Sequence, residues 1–407
     1  MTDADLAVAA LFTEQGRDDP YPHYARLHEL GPVSPLTEGV APPFVAVANG
    51  YRVVDQVLRD PGFIKQPSRL DWDLEPVQAI LQQSMLFSND PHHGRSRRAF
   101  NQVFTARRVA ELEPAVRRLV ESALDGLAKA GADGGVVDFV DEFAYELPAA
   151  VIGAMIGVDT HDITWLRERI RRIDDYLDLG GKQQHILDIA NAATLELSEY
   201  YLDLVRRRRA DPRDDLVSDL VRALAAGEHE LADDELVANL LVLFNAGVVT
   251  TTNLLANGLP YLLNSPAVAE AVCTEPRASA DFVEEVLRYE SSVQFLGRVP
   301  LADTEVGGVP VPAGGMVFLL LGAANRDPAR YPDPDTFDPT RRNSQPIAFG
   351  AGPHFCIGAA LSRLEARLAF PMILERFPGL RLAGPPVRTG QLLLRGCQSV
   401  PITLTGS

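Results

Sequence analysis

A single cysteine in a glycine-rich segment is the residue of this chain best suited to do chemistry. Cys356 lies in the run FGAGPHFCIGAA, just before a predicted helix from Ala359 to Arg376. Free backbone N–H groups and the positive dipole end of such a helix lower the pKa of a thiol and favour its use as a metal ligand. Gly350 and Gly352 suit a sharp turn with positive φ, and Gly358 would let a flat ligand approach the backbone. A lone cysteine can also be a small buried apolar residue, but these neighbours favour a metal-binding thiolate.

Two other groups of residues could bind parts of a ligand. His93 and Arg97 lie four residues apart near the start of a predicted helix, so they share one face and could hold an anion together. Basic clusters are, however, usually solvated. In a long apolar helical run, the small residues Ala246 and Gly247 would leave room for a ligand, and the hydroxyl of Thr250 could hydrogen-bond to it. The same residues could instead form a packed helix face.

An acidic and a basic residue in a further predicted helix could form an ion pair. Glu285 and Arg288 lie three residues apart in the run DFVEEVLRYE, so both face one side of the helix. Exposed pairs of this kind are common and contribute little to stability. The spacing alone therefore predicts no function.

The elements that must position these residues are mainly helical. Apolar residues recur at intervals of three and four from Asp90 to about Leu259, and the last helix of this stretch is predicted from Asp233 to Gly258, bounded by Pro260. Residues 31–63 predict short strands around one helix, residues 298–322 predict strands and turns, and short strands end the chain. We therefore expect a mainly α fold with a small β portion, formed by the whole chain as one domain.

Composition and charge exclude several classes of protein. The 407 residues include 38 Lys and Arg against 55 Asp and Glu, a net charge of −17, which disfavours binding to nucleic acid or anionic membranes. Three distant cysteines exclude a disulfide scaffold and a CxxC site, and they fit a reducing cytoplasm. The longest apolar stretches, near 240–244 and 317–321, are too short to cross a bilayer. The N-terminus lacks the basic region of a signal peptide. We therefore expect a cytoplasmic protein.

The cysteine segment resembles that of a known family. The pattern Phe349-x-x-Gly352-x-x-x-Cys356-x-Gly358 resembles the haem-thiolate loop of the cytochrome P450 family, in particular its soluble bacterial members. The resemblance implies the cytochrome P450 fold, with haem b (iron protoporphyrin IX) between the long central helix and the helix after the cysteine. It implies that Cys356 is the axial ligand of the haem iron. Further matches follow the family's order along nearly the whole chain: Asp60-Pro-Gly-Phe63, Glu146-Leu-Pro148 and Ala324-Asn-Arg-Asp-Pro328.

The resemblance also assigns roles to charged side chains. Four cationic or hydrogen-bonding side chains match the family's contacts with the haem propionates: His93, Arg97, Arg298 and His354. Four such groups for two carboxylates are chemically reasonable, since buried carboxylates need paired charges. Three residues match the family's buried structural triad, the last of them in the run Phe337-Asp-Pro-Thr-Arg341: Glu285, Arg288 and Arg341.

One catalytic element departs from the family's pattern. Residues 246–250 resemble the AGx(D/E)T element, in which the threonine, here Thr250, hydrogen-bonds dioxygen and directs its protonation. The family usually has Asp or Glu before this threonine, whereas this chain has Val249, which cannot relay a proton. We expect a substrate hydroxyl, an ordered water or Asn245 to take its place.

By family position, a set of mostly apolar residues forms the substrate pocket: Met85, Leu86, Leu177, Leu243, Phe244, Ala246, Val293, Phe295 and Leu393. Such a lining suits a bulky lipophilic substrate. A bacterial secondary metabolite, a polyketide or macrolide first, is expected by analogy, with peptide, terpene and steroid open. Asp174, Asp175 and Asp178 could attract an amino sugar, or they could lie on an exposed helix face.

The implied reaction uses O2 to hydroxylate or epoxidise this substrate. Nothing in the sequence resembles a flavin or iron–sulfur segment, so we expect electrons from a ferredoxin and its reductase. Five arginines could dock that acidic carrier: Arg95, Arg98, Arg107, Arg108 and Arg363. Two alternatives stay open. One is a haem-binding protein without monooxygenase turnover, such as a sensor or carrier partner. The other is a peroxide-driven or oxidative-coupling haem enzyme.

Overall fold

The computed structural model describes residues 1–65, 75–102, 104–177, 184–342 and 344–404. Helices dominate it, which confirms the predicted mainly α fold with a small β portion. Within the described residues the α-helices are α1 Asp3–Leu11, α2 Glu14–Asp18, α3 Tyr21–Leu30, α4 Tyr51–Arg59, α5 Pro76–Gln83, α6 His92–Asn101, α7 Ala106–Glu111, α8 Glu113–Ala130, α9 Glu146–Ile156, α10 Ile163–Asp175, α11 Gln184–Ala210, α12 Leu216–Ala225, α13 Asp233–Leu263, α14 Pro266–Thr274, α15 Pro276–Tyr289, α16 Leu321–Ala324 and α17 Ala359–Arg376.

The strands are short and form several small sheets. They are β1 Val33–Pro35, β2 Phe44–Ala48, β3 Phe63–Ile64, β4 Val137–Asp138, β5 Phe295–Pro300, β6 Thr304–Val306, β7 Val309–Val311, β8 Met316–Leu320, β9 Arg381–Leu382, β10 Val387–Arg388, β11 Cys397–Ser399 and β12 Pro401–Thr403. The largest sheet has the order β1-β2-β8-β5-β3 and brings the N-terminal segment beside residues 295–320. The other sheets are the pairs β10-β11 and β6-β7 and the three-stranded β4-β12-β9.

The long helix α13 runs through the centre of the helical core. Acidic residues in its first turn favour the positive end of the helix dipole, and most of its later residues are buried. The predicted end at Gly258 is wrong, because the helix continues through Pro260 to Leu263. A proline so near the C-terminus lacks only its own N–H, and its carbonyl still accepts from the N–H of Asn264 at 3.1 Å.

Helix α13 is also long and apolar enough to cross a membrane by length and composition, unlike the short stretches considered in the sequence. However, 67% of its most apolar stretch is buried inside the protein, as in the core helix of a globular fold. Its length and composition are therefore weak grounds for a membrane span.

Helices α13 and α17 pack directly against each other. Gly258 of α13 makes room for the ring of Phe370 of α17, since a Cβ at position 258 would lie 2.5 Å from the ring's Cζ. About two turns earlier in α13, the Thr251 hydroxyl donates to the Ser362 hydroxyl of α17 at 3.1 Å. These contacts hold the middle of α13 against the helix that follows the cysteine.

A buried ion pair fixes the loop that leads to the cysteine segment. The guanidinium of Arg288 donates to both carboxylate oxygens of Glu285, at 2.8 and 2.7 Å, and both side chains are almost fully buried. Arg288 also donates to the carbonyls of Asn325 and Thr336, at 3.0 and 2.9 Å. Arg341 lies 3.7 Å from the same carboxylate. The structure thus brings the three predicted triad residues together, and burial makes this pair unlike an exposed surface pair.

Candidate active site

The loop before α17 is held in a fixed shape by glycines. Gly350 and Gly352 have φ of 68° and 69°, the left-handed region that the sequence predicted for them. A Cβ at position 352 would lie 2.3 Å from the carbonyl oxygen of Leu58, so only glycine fits beside the end of α4. The N–H of Cys356 donates to the carbonyl of Phe349 at 3.0 Å, which closes the loop and directs the cysteine toward α17.

The thiol of Cys356 does not have the lowered pKa that the sequence predicted from its place at a helix N-terminus. Burial raises its pKa above the ordinary value, but the backbone N–H groups of Gly358 and Ala359 and the positive charges of Arg97 and Arg363 act in the opposite direction. A Cβ at position 358 would meet only the Cys356 sulfur, at 4.0 Å. The space beside the sulfur is therefore open to a flat group, as expected from Gly358.

The four side chains predicted to hold propionates converge beside this loop, and we call them the cationic cluster: His93, Arg97, Arg298 and His354. The rings of His93 and His354 lie 3.9 Å apart between centroids. Arg97 donates to the carbonyl of Phe355 at 2.7 Å, and Arg298 is only 2% exposed. Residues from α6, β5 and the cysteine loop thus meet at one place.

The middle of α13 exposes four residues within an arc of about 140°, which we call the open face: Asn245, Ala246, Val249 and Thr250. These positions fall on one side of a helix and are partly or fully exposed, whereas Phe244 and Val248 beside them are buried. The hydroxyl of Thr250 donates to the carbonyl of Ala246 at 2.8 Å. The open face therefore carries one hydroxyl and one amide.

Of the two alternatives that the sequence left open for Gly247, room for a ligand or a packed helix face, the structure shows the packed face. A Cβ at this position would lie 3.3 Å from a side-chain carbon of Ile152 on α9. The glycine instead allows α9 and α13 to pack closely, since one turn of helix cannot present all its residues to the same side. Of the two small residues, only Ala246 lies on the open face.

Two predicted pocket residues pack into or against the core. Phe244 is fully buried, with its ring 3.8 Å from the Cβ position of Gly153 on α9. Phe295 packs its ring 4.7 Å from that of Phe318, on the face of β5 opposite to Arg298, because successive side chains of a strand point to opposite faces. Leu296 of the same strand faces the cysteine loop, 3.9 Å from the Cβ position of Gly350.

The other predicted pocket residues differ in burial. Met85 and Leu243 are buried, and the N–H of Met85 donates to Asn239 of α13 at 2.8 Å. The rest are at least partly exposed: Leu86, Leu177, Ala246, Val293 and Leu393. Val293 is bridged to Leu394, which brings the segment before β5 beside the loop at 392–394.

Asp174 at the end of α10 is bound to the open face. The side-chain amide of Asn245 donates to its carboxylate Oδ1 at 2.8 Å, and the aspartate is only 7% exposed. Asp175 is exposed, as an ordinary helix surface predicts. Asp178, the third acidic residue named in the sequence, lies outside the described residues.

Comparison with protein families assigns the chain. Residues 36–384 match the family model for cytochrome P450. The chain belongs to the cytochrome P450 family. The curated relative 6-deoxyerythronolide B hydroxylase of Saccharopolyspora erythraea is 35% identical and covers 95% of this chain and 96% of the relative. Cytochrome P450 monooxygenase PikC of Streptomyces venezuelae is 36% identical and covers 94% of this chain and 91% of the relative.

Solved structures agree with this assignment. The crystal structure of P450BioI in complex with a hexadec-9Z-enoic acid ligated acyl carrier protein superposes with a TM-score of 0.88 at 30% identity, covering 96% of this chain and all of that chain. The protein is thus a cytochrome P450 monooxygenase, an enzyme that uses a haem–thiolate cofactor and takes electrons from redox partners.

The residues beside the cysteine loop of this P450 fit a haem. Burial lowers the pKa of Arg298 to about 10 and that of His354 to about 2, so the cluster needs a negative partner. Across the described ranges no carboxylate pairs with Arg298, and His93 has only Asp90 at 3.7 Å. Two haem propionates would supply this missing charge, and Cys356 beside an open glycine would supply the iron ligand.

Sequence reasoning missed one member of this site. Lys65 follows β3, and extending the register in which Ile64 faces Val299 places it beside Arg298. Burial, together with the charge of Arg298, lowers the pKa of Lys65 well below its ordinary value. Its Nζ lies 5.8 Å from the ring centroid of Phe87. A single lysine in an irregular segment carries no local signal, and only the pairing of β3 with β5 could have revealed it.

The five predicted docking arginines differ in their surroundings. Arg95 pairs with Glu235, Arg107 with Glu111 and Arg363 with Glu284, so three of them are partly neutralised. Arg98 and Arg108 are exposed, and neither forms an ion pair with any residue that the structure describes. Their positive charge is therefore presented to solvent.

Proposed function

We propose that this P450 transfers one oxygen atom from O2 to a C–H or C=C bond of a bulky lipophilic molecule, with a bacterial polyketide or macrolide as the first candidate. The observation that carries the proposal is that the Cys356 loop lies beside the cationic cluster. The described residues provide too few carboxylates to neutralise the charges of this cluster. Such a site suits a dianionic, iron-bearing planar cofactor, and haem b meets that description. The whole chain acts as one catalytic domain.

Each group of residues has a role in this scheme. Cys356 holds the iron, and the cationic cluster binds the propionates with help from Lys65. The bound haem supplies the redox chemistry, in which one oxygen atom enters the product and the other leaves as water. Thr250 holds a proton at Oγ1 on the open face, where it can be given to dioxygen instead of to the carbonyl of Ala246. The structural triad keeps the loop before the cysteine in place.

The substrate class is supported by the lining and by a relative. The partly exposed residues Leu86, Leu177, Val293 and Leu393 offer mostly apolar contacts, which orient a lipophilic molecule with few polar groups. The relative named as a 6-deoxyerythronolide B hydroxylase favours a macrolide-type ring. The acyl carrier protein in the P450BioI structure is a partner of that protein, and it raises a carrier-bound acyl chain as the second candidate substrate.

Electrons come from a ferredoxin with its reductase, because the family takes them from redox partners and this chain offers exposed arginines at positions 98 and 108. The reaction takes place in the cytoplasm, where the three cysteines stay reduced, and all three are free thiols in the structure.

The carbon monoxide spectrum of the reduced protein tests the haem-thiolate site. We expect the purified protein to contain one haem and to show the absorption maximum of a thiolate-ligated complex. Cys356→Ser should abolish this signature because the ligand sulfur is lost, whereas Cys273→Ser, a change at a thiol on α14, should leave it intact. Nitrogen ligation in the parent protein would refute the site.

A spectral titration tests the substrate class. 6-Deoxyerythronolide B, myristic acid and testosterone are added to the oxidised holoenzyme. Displacement of the water bound to the haem iron is followed in the absorption spectrum. Tightest binding of the macrolide precursor supports the proposal. Tightest binding of myristic acid favours an acyl substrate instead.

A further inference from the structure

The open face of α13 carries no ionisable side chain of its own. Asn245, Ala246 and Val249 do not titrate, and the hydroxyl of Thr250 does not ionise near neutral pH. Yet the proposed reaction consumes protons: substrate, O2, two electrons from the ferredoxin and two protons give the oxygenated product and one water. Each turnover must therefore bring two protons from solvent to the cavity beside Thr250.

Among the described residues, Asp174 is an ionisable group that is hydrogen-bonded to this face. Its carboxylate accepts a hydrogen bond from the side-chain amide of Asn245 at 2.8 Å. Asn245 and Thr250 are five residues apart, which separates their Cα atoms by about 7–8 Å along the helix axis and turns their side chains about 140° away from each other. A relay from Asp174 to Thr250 therefore needs a chain of several waters across the open face.

The enclosure of Asp174 suits a proton-transferring group better than a substrate contact. A carboxylate that is only 7% exposed offers little surface to a bulky substrate. Two buried hydroxyls in the same part of the core, those of Tyr145 and Tyr201, have no hydrogen-bond partner among the described residues. Buried polar groups of this kind are normally satisfied by internal water.

Tyr145 lies within electrostatic range of Asp174. Burial raises the pKa of Tyr145, the charge of Arg167 opposes this rise, and the charges of Glu146 and Asp174 add to it. Arg167, partly exposed, stacks on the Tyr145 ring at 3.9 Å. Polar groups of α9 and α10 thus lie between the partly exposed Arg167 and the part of the core that holds Asp174.

We propose that Asp174, positioned by Asn245, is the acid that renews the proton on Thr250 through intervening water. The carboxylic acid gives its proton toward Thr250 Oγ1 and becomes a carboxylate, and solvent then protonates it again. Asn245 acts as a positioning residue. This inference rests on the proposed function, and it gives the chain an acid in place of the one that Val249 cannot supply.

The test compares two routes to the same product with thioanisole, a small probe that does not depend on the native substrate. With O2 and a plant-type ferredoxin system, sulfoxide formation requires both protons from solvent. With hydrogen peroxide, the reagent brings both protons. In Asp174→Asn the new side chain has the same size and can still form hydrogen bonds, but it cannot ionise. We expect product per electron in the O2 reaction to fall by about tenfold or more, with peroxide released instead, and the peroxide-driven rate to stay within about twofold.

Matched variants separate the relay from other roles. Asp175→Asn removes the neighbouring exposed carboxyl and should change nothing, and Asp174→Glu should restore much of the coupling. Asn245→Ala should lower coupling less than Asp174→Asn does. Equal losses in both routes, or thioanisole bound about tenfold more weakly in a spectral titration, would make Asp174 a structural or substrate-binding residue and overturn the inference.

A spectroscopic readout keeps the test independent of turnover. The C–O stretching band of the reduced, carbon-monoxide-bound holoenzyme reports the electric field at the open face. Asp174→Asn should shift this band, and Asp175→Asn should not. A parent protein that oxidises thioanisole only with peroxide would contradict the proposed function, while the shifted band would still support the place of Asp174. An unmoved band with unchanged coupling would refute the relay.

Discussion

At the scale of single residues, Val249 is the feature that separates this chain from the usual P450 pattern. It lies on the open face beside Thr250, so a carboxyl group at this position would stand one residue from the hydroxyl that holds a proton. Its burial is only partial, so a polar side chain there can remain in contact with water.

We therefore predict that Val249→Asp changes how electrons are divided between product and peroxide. In the Asp174→Asn background it should raise product per electron severalfold, because the new carboxyl replaces the lost acid. With thioanisole as substrate, the measurement is the amount of sulfoxide and of peroxide formed for each reduced cofactor that is consumed. Val249→Asn is the control, since it is polar and of equal size but cannot donate an acidic proton. Equal coupling in the Asp and Asn variants would show that position 249 has no part in proton transfer.

Some residues of the site can be predicted from the local sequence, and others cannot. Cys356 and the positive φ of Gly350 and Gly352 follow from local chemistry and local backbone geometry, so a short run of letters suffices. Phe244 and Lys65 depend on which helix or strand lies opposite. The ring of Phe244 is buried because α9 packs there, and Lys65 meets Arg298 because β3 pairs with β5. Neither neighbour is visible in the local sequence.

At the scale of elements, the contact between α13 and α17 positions the open face relative to the cysteine. The sequence predicted both helices, and it located the start of α17 correctly, since a chain leaving the cysteine loop begins the helix at once. It placed the end of α13 at Gly258, although that glycine serves packing: Phe370 lies against its backbone. A glycine in a helical pattern can mark either a stop or a close approach, and only the partner helix decides between them.

We predict that Gly258→Ala destabilises the enzyme by about 1–3 kcal/mol, because the added methyl would lie 2.5 Å from the Phe370 ring and force the two helices apart. Thermal unfolding of the holoenzyme measures the loss. Gly126→Ala on α8 is the control. Nothing lies within 4 Å of a Cβ there, so the better helix propensity of alanine should leave stability equal or slightly higher. Equal melting temperatures for the two variants would show that α13 and α17 can separate at little cost.

At the scale of the whole molecule, the charge distribution bears on electron delivery. A net charge of −17 repels an acidic ferredoxin at long range, so productive encounter needs a local positive patch. The net charge can be read from the composition, but the location of a positive patch cannot, because the sequence does not show which of the five candidate arginines have acidic partners. Arg107 and Arg363 have acidic partners, whereas Arg98 and Arg108 have none among the described residues. Both unpaired arginines lie on helices near the cysteine loop, α6 and α7.

We predict that the double variant Arg98→Ala and Arg108→Ala slows reduction of the substrate-bound enzyme by a plant-type ferredoxin about tenfold at low salt, because two uncompensated charges that steer the acidic partner are removed. Stopped-flow formation of the carbon monoxide complex measures the rate. The deficit should shrink as ionic strength rises, since salt screens exposed charges over about 8–10 Å.

Arg107→Ala is the matched control for this prediction. Its side chain is 89% exposed, yet it is already paired with Glu111 at 3.0 Å, so its removal should leave the local field little changed. Reduction by dithionite, a small reductant that needs no docking, should proceed equally in all variants. If the double variant is reduced by ferredoxin at the parent rate, the carrier docks elsewhere. The role of α6 would then be limited to its two residues of the cationic cluster, His93 and Arg97.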